Sequence, residues 1–314
     1  MTPGAATSHD GRHDRPMLAI GLRLAAMLML ASTYVCGKLL SDRHVGIPEI
    51  VFYRQLFAWP VAAAWLIATM GPAAVKTQRI GMHISRSILG MIGMILNFGA
   101  VALLPLAEST SIAFTMPIFA TILSAIVLRE HIGIHRWSAV ALGFVGVIIM
   151  AHPDAQNLAS FGVLVALAGA FITAIISIVL RDLNKSEQAP TIVFWFTTIS
   201  LPPLGALALT SGTAHTAEQW FLLVLLGVTG GAAQLLMTFA LRFAPVSIVI
   251  PMDYSQLVWA TAAGWIFWGS WPGLASWAGA AMIAAAGLYI AWREHVRRSA
   301  GSVSPDEDRS GRSG

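Results

Sequence analysis

Residues 100–105 read AVALLP and residues 240–245 read ALRFAP, so a segment that runs from alanine to proline occurs twice, 140 positions apart. The same offset pairs Trp137 with Trp277. Small and apolar residues also match at this offset without a gap: Gly90 with Gly230, Leu96 with Leu236, Ala120 with Ala260, Ala141 with Ala281, and Ala151 with Ala291. Proline and tryptophan matches in one register predict an internal repeat over much of the chain.

The composition of the chain is that of a membrane protein. Of its 314 residues, 56% are hydrophobic and 11% are charged, and the mean hydropathy is +0.71. Soluble domains carry about 25% charged residues. Because about 20 apolar residues in a helix cross the hydrocarbon core, we predict ten transmembrane helices, at residues 17–39, 48–70, 80–104, 107–128, 135–151, 161–181, 189–210, 218–241, 246–268 and 273–292. The runs are too long and too weakly alternating for a β-barrel.

The two sets of five spans predict an all-α integral membrane protein built as a 5+5 inverted repeat. Five is an odd number, so the second half enters the bilayer from the side opposite to the first. We expect the first repeat at residues 17–152 and the second at residues 160–292. The polar ends, residues 1–16 and 293–314, are expected to be disordered tails. Inverted repeats are common among alternating-access transporters.

Basic residues predict the orientation of the chain in a cell or inner membrane. They concentrate before span 1 and after each even-numbered span: Arg12, Arg15, Lys76, Arg79, Arg129, Arg136, Arg181, Lys185, Arg242, Arg293, Arg297 and Arg298. The other connections hold only Lys38 and Arg43. The positive-inside rule then places both termini in the cytoplasm. Since the basic residues lie in turns, the basic character of the chain does not indicate nucleic-acid binding.

Prolines fall inside spans that correspond to each other under the repeat. Span 2 contains Pro60 and span 7 contains Pro202 and Pro203, while span 4 contains Pro117 and span 9 contains Pro251. Each proline frees a backbone carbonyl and bends its helix. Paired interruptions favour a central transport site between the halves. The alternative is that membrane helices simply tolerate proline.

Few ionisable residues lie inside the predicted spans, where a charge at the bilayer centre costs at least about 2.5–3.5 kcal/mol. Asp253 in span 9 is too short to reach the surface, so we interpret it as a proton-linked or substrate-orienting group. Arg54 in span 2 is either a structural anchor that pairs with Glu49 or a carbonyl, or a coupling residue. Lys38 ends span 1, one turn after Tyr34, and either snorkels to the outer surface or attracts a substrate carboxylate.

Spans 3 and 8 each carry an amide side chain within a stripe of small residues. The stripe in span 3 comprises Arg86, Gly90, Gly93 and Asn97, and the stripe in span 8 comprises Gly227, Gly230, Gly231, Gln234 and Thr238. The glycines predict close helix packing. The amides of Asn97 and Gln234 need partners in the membrane, and these are either other helices or a substrate.

These residues together predict a polar cavity near mid-membrane, walled by spans 1, 3, 4, 6, 8 and 9. A polar metabolite that leaves water needs replacement hydrogen bonds there. The expected substrate-binding residues are Tyr34, Lys38, Asn97, Gln234, Asp253 and Tyr254. Structural or coupling roles are expected for Arg54, Pro60, Pro117, Glu130 and Pro251.

The sequence gives no indication of catalysis or of a metal site. His131 and His135 flank a basic turn beside Glu130 without a third ligand motif, so we predict no metal there. The motifs H-E-x-x-H and G-x-S-x-G and a phosphate-binding loop with lysine are absent. We therefore predict no enzyme activity, no catalytic residue, no cofactor and no ATP-driven step. The single cysteine, Cys36, excludes an intrachain disulfide.

Two segments of the chain resemble EamA domains. The first includes Ala100-x4-Pro105-x-Ala107, Pro117, Glu130, Trp137 and Gly146, and the second includes Ala240, Pro245, Pro251-Met-Asp-Tyr254, Gly264-Trp, Gly269 and Trp277. The chain is thus similar to ten-span, two-domain members of the drug/metabolite transporter superfamily. Members often end span 9 with Gly-Glu, whereas this chain has Gly269-Ser270, so a role shared by both glutamates falls to Glu130 alone.

The resemblance implies secondary transport of small metabolites by alternating access, often of amino acids or related compounds and often outward. The implied partners are a small-molecule substrate and the lipid bilayer. A proton or a counter-substrate as coupling partner, and a homodimer, are left open. The alternative function is a membrane scaffold or receptor without transport.

Overall fold

The computed structural model describes residues 15–127, 133–151, 157–210, 212, 214–244 and 249–301, and within them every regular element is helical. The helices are α1 (Pro16–Asp42), α2 (Ile47–Met70), α3 (Ile80–Leu103), α4 (Leu106–Ala113), α5 (Met116–Ile126), α6 (Ile134–Ala151), α7 (Asn157–Leu183), α8 (Ala189–Ala208), α9 (Ala217–Phe243), α10 (Ser255–Trp268) and α11 (Leu274–Gly301). Short 3-10 helices lie at Pro72–Val75 and Ile250–Tyr254.

The described helices confirm the all-α membrane fold. Eight of them are long and apolar enough to cross a bilayer, with α4 and α5 counted together over Leu106–Ile126, and a shorter apolar helix covers Ile134–Met150. Large apolar side chains remain exposed on these helices, as expected where lipid replaces water. The predicted ninth span, 246–268, begins in residues outside the described ones, so the count of ten spans stays a prediction.

Equivalent helices of the two halves run in opposite directions. In the α2–α8 pair, the ring of Phe52 lies against Gly205, and further along α2 the indole Nε1 of Trp59 donates to Thr198 Oγ1 at 3.0 Å. Contacts therefore move forward along one helix and backward along the other. The α6–α11 pair shows the same order, because Gly143 lies near Ala286 whereas Gly146, further along α6, lies against Gly279. Antiparallel packing of equivalent helices supports the inverted arrangement of the halves.

Two further pairs of helix contacts are exchanged between the halves. The extensive contact of α1 with α9 is repeated by that of α7 with α3, and the contact of α2 with α9 is repeated by that of α8 with α3. The glycines of the α9 stripe lie where α2 comes closest: Gly227 leaves no room for a Cβ beside Phe57, and a Cβ at Gly231 would be 3.2 Å from Val61. Close packing of helices at small residues is the arrangement predicted for this stripe.

Helix breaks occur in spans 4 and 9 but not in spans 2 and 7. A turn at Phe114–Thr115 separates α4 from α5, and the 3-10 helix that contains Pro251 precedes α10. Pro60 lies inside α2, and Pro202 and Pro203 lie inside α8, without interrupting either helix. All three of these prolines are exposed on the bundle surface, so their rings meet lipid rather than a neighbouring helix.

The two breaks meet each other. Phe114 at the first break and Tyr254 at the second are 140 positions apart, and their ring centroids are 4.6 Å apart. The hydroxyl of Tyr254 fills the space beside Gly287 on α11. These contacts place equivalent residues of the two halves face to face between the two repeats.

Candidate functional site

A cavity, here called the main cavity, lies inside the bundle between α2, α3, α7, α8 and α9. It encloses about 580 Å³ of space not filled by atoms, including its open mouth. It extends from Arg54 in α2 to Leu180 and Ile192, which lie near the end of α7 and the start of α8. This is the end of the bundle where α1 begins and α2 ends, and we call it the terminal end.

Arg54 lies at the inner limit of the main cavity. Its Nη1 donates to Gln55 Oε1 at 3.0 Å and lies 3.0 Å from the Met94 sulfur. Gly230 on α9 makes room for the guanidinium, since a Cβ there would be 3.3 Å from Arg54 Nε. Glu49, one partner considered from the sequence, instead lies 3.0 Å from His215 Nε2.

Arg86 is the second cation of the main cavity. Its guanidinium stacks on the ring of Phe196, 4.2 Å from the centroid. Its Nε and Nη1 are buried and have no hydrogen-bond partner among the described residues. Gly90 leaves room for this stack, because an added Cβ would overlap both the guanidinium and the ring. Among the described residues that line the main cavity, none is Asp or Glu.

A small cavity lies on the other side of Arg54, between α1, α2 and α3. It holds about 250 Å³ of empty space and is lined by Leu30, Thr33, Tyr34, Arg54, Met94, Asn97 and Phe98. Tyr34 and Phe98 pack together there, with ring centroids 5.5 Å apart. Arg54 lines both cavities. The small cavity therefore lies away from the terminal end, and Arg54 separates it from the main cavity.

Three of the six predicted substrate-binding residues line these two cavities. Tyr34 and Asn97 line the small cavity, and Gln234 lines the main cavity. The prediction of one cavity with all six residues is therefore not what the structure shows. The walls of the main cavity also differ from the predicted walls. Spans 2 and 7 contribute to it, whereas spans 1, 4 and 9 do not.

Lys38 is bound to the end of α3. Its ammonium donates to the carbonyl oxygens of Val101 at 2.8 Å and Leu104 at 2.9 Å. Pro105 has no N–H to donate to the Val101 carbonyl, which would otherwise lack a helical partner. Lys38 thus replaces the missing donor, and it lines neither the main cavity nor the small cavity described above.

Asp253 forms an ion pair with Arg23 of α1. The carboxylate accepts from Arg23 Nε, and from Nη2 at 2.7 Å, while Nη1 donates to the Met237 carbonyl at 3.2 Å. Only 6% of Arg23 is exposed. Sequence reasoning missed Arg23, although its position within the first apolar stretch was a signal of the same kind that singled out Asp253 and Arg54. Tyr254 packs on Phe114.

Of the residues expected to have structural or coupling roles, Pro117 lies in the first turn of α5 and Pro251 in the 3-10 helix before α10. Glu130 and the neighbouring His131 lie outside the described residues. Within the described ranges, no three His, Cys, Asp or Glu side chains lie together in a way that would hold a metal ion.

Known proteins resemble this chain in sequence and in fold. The EamA-like transporter family matches residues 17–151 and 160–292. The chain is 33% identical to the riboflavin transporter of Vibrio cholerae over 237 residues, which cover 74% of this chain and 78% of that protein. It is 26% identical to the pseudopaline exporter CntI of Pseudomonas aeruginosa over 254 residues, which cover 79% of this chain and 88% of that protein.

A solved crystal structure shows the same fold, with a TM-score of 0.58, 17% sequence identity, and coverage of 85% of this chain and 96% of the other. The two family matches together cover most of the chain, and so does each of these relatives. The chain therefore belongs to the EamA-like transporter family. It is a multi-pass membrane transporter, whose partners are a small-molecule substrate and membrane lipid.

Proposed function

We propose that this member of the EamA-like transporter family is a secondary transporter that moves a polar metabolite through the main and small cavities by alternating access. The observation that supports this most strongly is the position of Arg54, which lines both cavities within an inverted repeat. One cavity extends toward the terminal end of the bundle and the other lies away from it. A substrate exchanged across Arg54 would move from one side of the membrane toward the other.

The polar groups of the two cavities replace the water that a substrate loses on entering the membrane. Gln55 and Gln234 offer amides in the main cavity, and Tyr34 and Asn97 offer a hydroxyl and an amide in the small cavity. We propose these four side chains as substrate contacts. The glycine contacts between α9 and α2 provide a surface without interlocking side chains along which the helices can move.

We further propose an inner-membrane location with both termini in the cytoplasm, so that the main cavity extends toward the cytoplasm. The proposed substrates are amino acids or related compounds, and the proposed direction is export. The relatives include a riboflavin transporter and a pseudopaline exporter. Because their named substrates differ, the substrate of this chain has to be identified by experiment.

The proposal is tested by metabolite profiling inside and outside cells with and without the gene, followed by flux measurements in proteoliposomes. We expect a substrate-dependent flux that Gln234→Ala strongly reduces. The matched control is Gln219→Ala, since Gln219 belongs to the same helix but caps its start, where its side chain accepts from Thr216 N at 2.8 Å. No flux with a broad metabolite panel would favour a scaffold or receptor instead.

A further inference from the structure

We infer that the main cavity binds its substrate through a negatively charged group, a carboxylate or a phosphate, held by Arg54 and Arg86. The rest of the substrate is apolar or planar and lies against Phe196 and Trp65. This inference rests on the proposed function and names the class of substrate for the same site.

The charge of the cavity lining is the first argument. Arg54 and Arg86 both line the cavity, and none of the other described lining residues is acidic. Two carboxylates lie close in sequence to the lining residues of α7 and α8, and both have partners elsewhere. Asp182 accepts from Arg79 Nη2 at 2.6 Å, and Glu187 accepts from Thr77 Oγ1 at 2.5 Å. Two guanidinium groups in a membrane cavity need an anion, because an uncompensated buried charge is costly.

The unused hydrogen-bonding groups of the cavity are the second argument. Four buried side-chain nitrogens of its described lining have no partner: Arg86 Nε, Arg86 Nη1, Gln55 Nε2 and Trp65 Nε1. Every one of these atoms is a donor. A ligand that satisfies them has to accept hydrogen bonds, and carboxylate and phosphate oxygens only accept. The planar fork of arginine also matches both anions in geometry.

A comparison within the same molecule supports this interpretation. Where a buried arginine serves the fold, the chain supplies its acceptors, as Asp253 and the Met237 carbonyl do for Arg23. At Arg86 it supplies a stacking ring instead of an acceptor. A guanidinium that is held in place by Phe196, with two nitrogens left unbound, is positioned to bind an external anion.

The apolar part of the lining indicates the rest of the substrate. Ala58, Ala62, Leu180, Ile192, Val193 and Leu235 surround the polar groups. The ring of Phe196 and the indole of Trp65 add flat surfaces. A small inorganic anion would leave these surfaces without contacts, whereas an anionic group on an apolar or planar body fits both parts of the lining.

The test uses the purified full-length protein in lipid nanodiscs and pairs of probes that differ in charge. The pairs are indole-3-acetate with indole-3-ethanol for a carboxylate, and flavin mononucleotide with riboflavin for a phosphate. We expect at least one anion to bind more tightly than its neutral partner by about ten- to hundredfold, the range for hydrogen bonds to charged groups. The preference should be lost in Arg54→Gln and in Arg86→Gln and partly kept in Arg86→Lys.

The matched control is Arg43→Gln, which removes the same charge from an arginine that pairs with Glu218 near the other end of the bundle. Equal binding of neutral and anionic probes, no binding of either anion, or unchanged anion binding in both arginine variants would overturn the inference. Measurements in nanodiscs with and without phosphatidylglycerol distinguish a site for a soluble anion from a site for a lipid headgroup. Loss of probe binding only with phosphatidylglycerol would assign the site to lipid and overturn the substrate class.

Flux measurements separate this inference from the proposed function. If an anionic probe binds but is not moved in proteoliposomes, the inference stands and transport through this site is wrong. If neutral compounds are moved equally well by the wild type and by Arg86→Gln, the transport proposal stands and the anionic class is wrong.

Discussion

Arg23 and Arg86 lie in two different regions of this bundle, one buried and one half-buried, and the chain satisfies them in opposite ways. Arg23 has protein acceptors for three of its nitrogens, supplied by Asp253 and the Met237 carbonyl. Arg86 stacks on Phe196, and two of its buried nitrogens have no partner among the described residues. The comparison shows that position inside a membrane span does not by itself reveal the role of a charge. The number of acceptors that the fold supplies to it is more informative.

The largest loss of stability is expected when Arg23 loses its partner Asp253. Asp253→Asn should destabilise the protein by about 3–5 kcal/mol, because Arg23 then remains buried without a counter-charge. Unfolding in detergent micelles, followed by tryptophan fluorescence, measures this. The interpretation of Asp253 as a proton-linked group instead predicts intact folding and a loss of pH-dependent flux.

A double variant sharpens this test. Arg23→Met combined with Asp253→Leu removes both charges and should recover most of the lost stability, since replacing a buried ion pair with apolar residues is often neutral. A double variant as unstable as Asp253→Asn would show that the two residues act separately.

Lys38 is a second cation whose hydrogen-bond acceptors are supplied by the protein. Its replacement should reduce stability less than the loss of Asp253. Lys38→Met should cost about 1–3 kcal/mol, because the carbonyls of Val101 and Leu104 lose a charged donor in an apolar setting. The same unfolding measurement applies. Substitution of Lys38 by arginine keeps a donor and serves as the control. A methionine variant as stable as the wild type would mean that these carbonyls find other partners.

Removal of Arg86, the arginine without acceptors, should not destabilise the protein appreciably. For Arg86→Gln we expect a loss of stability no greater than about 1 kcal/mol, because the lost stacking on Phe196 is of that size and the unpaired nitrogens contribute no bonds to lose. Flux should nevertheless fall sharply in this variant. If Arg86→Gln instead unfolds as readily as Asp253→Asn, the distinction between the two regions fails.

The smallest effect is expected at the surface. Arg43 pairs with Glu218 at 2.5 Å, and 64% of the Glu218 side chain is exposed. Glu218→Gln should change stability by about 0–1 kcal/mol, since exposed ion pairs contribute little. Unfolding at low and high salt checks this, because screening should remove even that difference. A cost above that range would identify this pair as more than a surface contact.

Local patterns in the sequence were enough to predict the membrane fold, and tertiary contacts decided the rest. Hydropathy identified the helices, and the 140-residue offset identified the repeat. Asp253, in contrast, looked unpaired because its partner Arg23 is 230 positions away. The stripe in span 3 predicted one shared face, yet Gly93 packs on α7 while Gly90 lies beside Phe196 of α8. One helical face can thus serve two neighbours, which periodicity does not reveal.

The stack of Phe114 on Tyr254 has an evolutionary consequence. It joins residues at equivalent positions, so a duplicated ancestral half would have met its own copy at this point. The position 140 residues after Arg86, however, is Leu226, which is fully buried in an apolar cluster. Duplication thus accounts for the shape of the bundle but not for this cation. If Arg86 binds the substrate as proposed, the residue that selects the substrate belongs to one half only, and it can change there without altering the equivalent position of the other half.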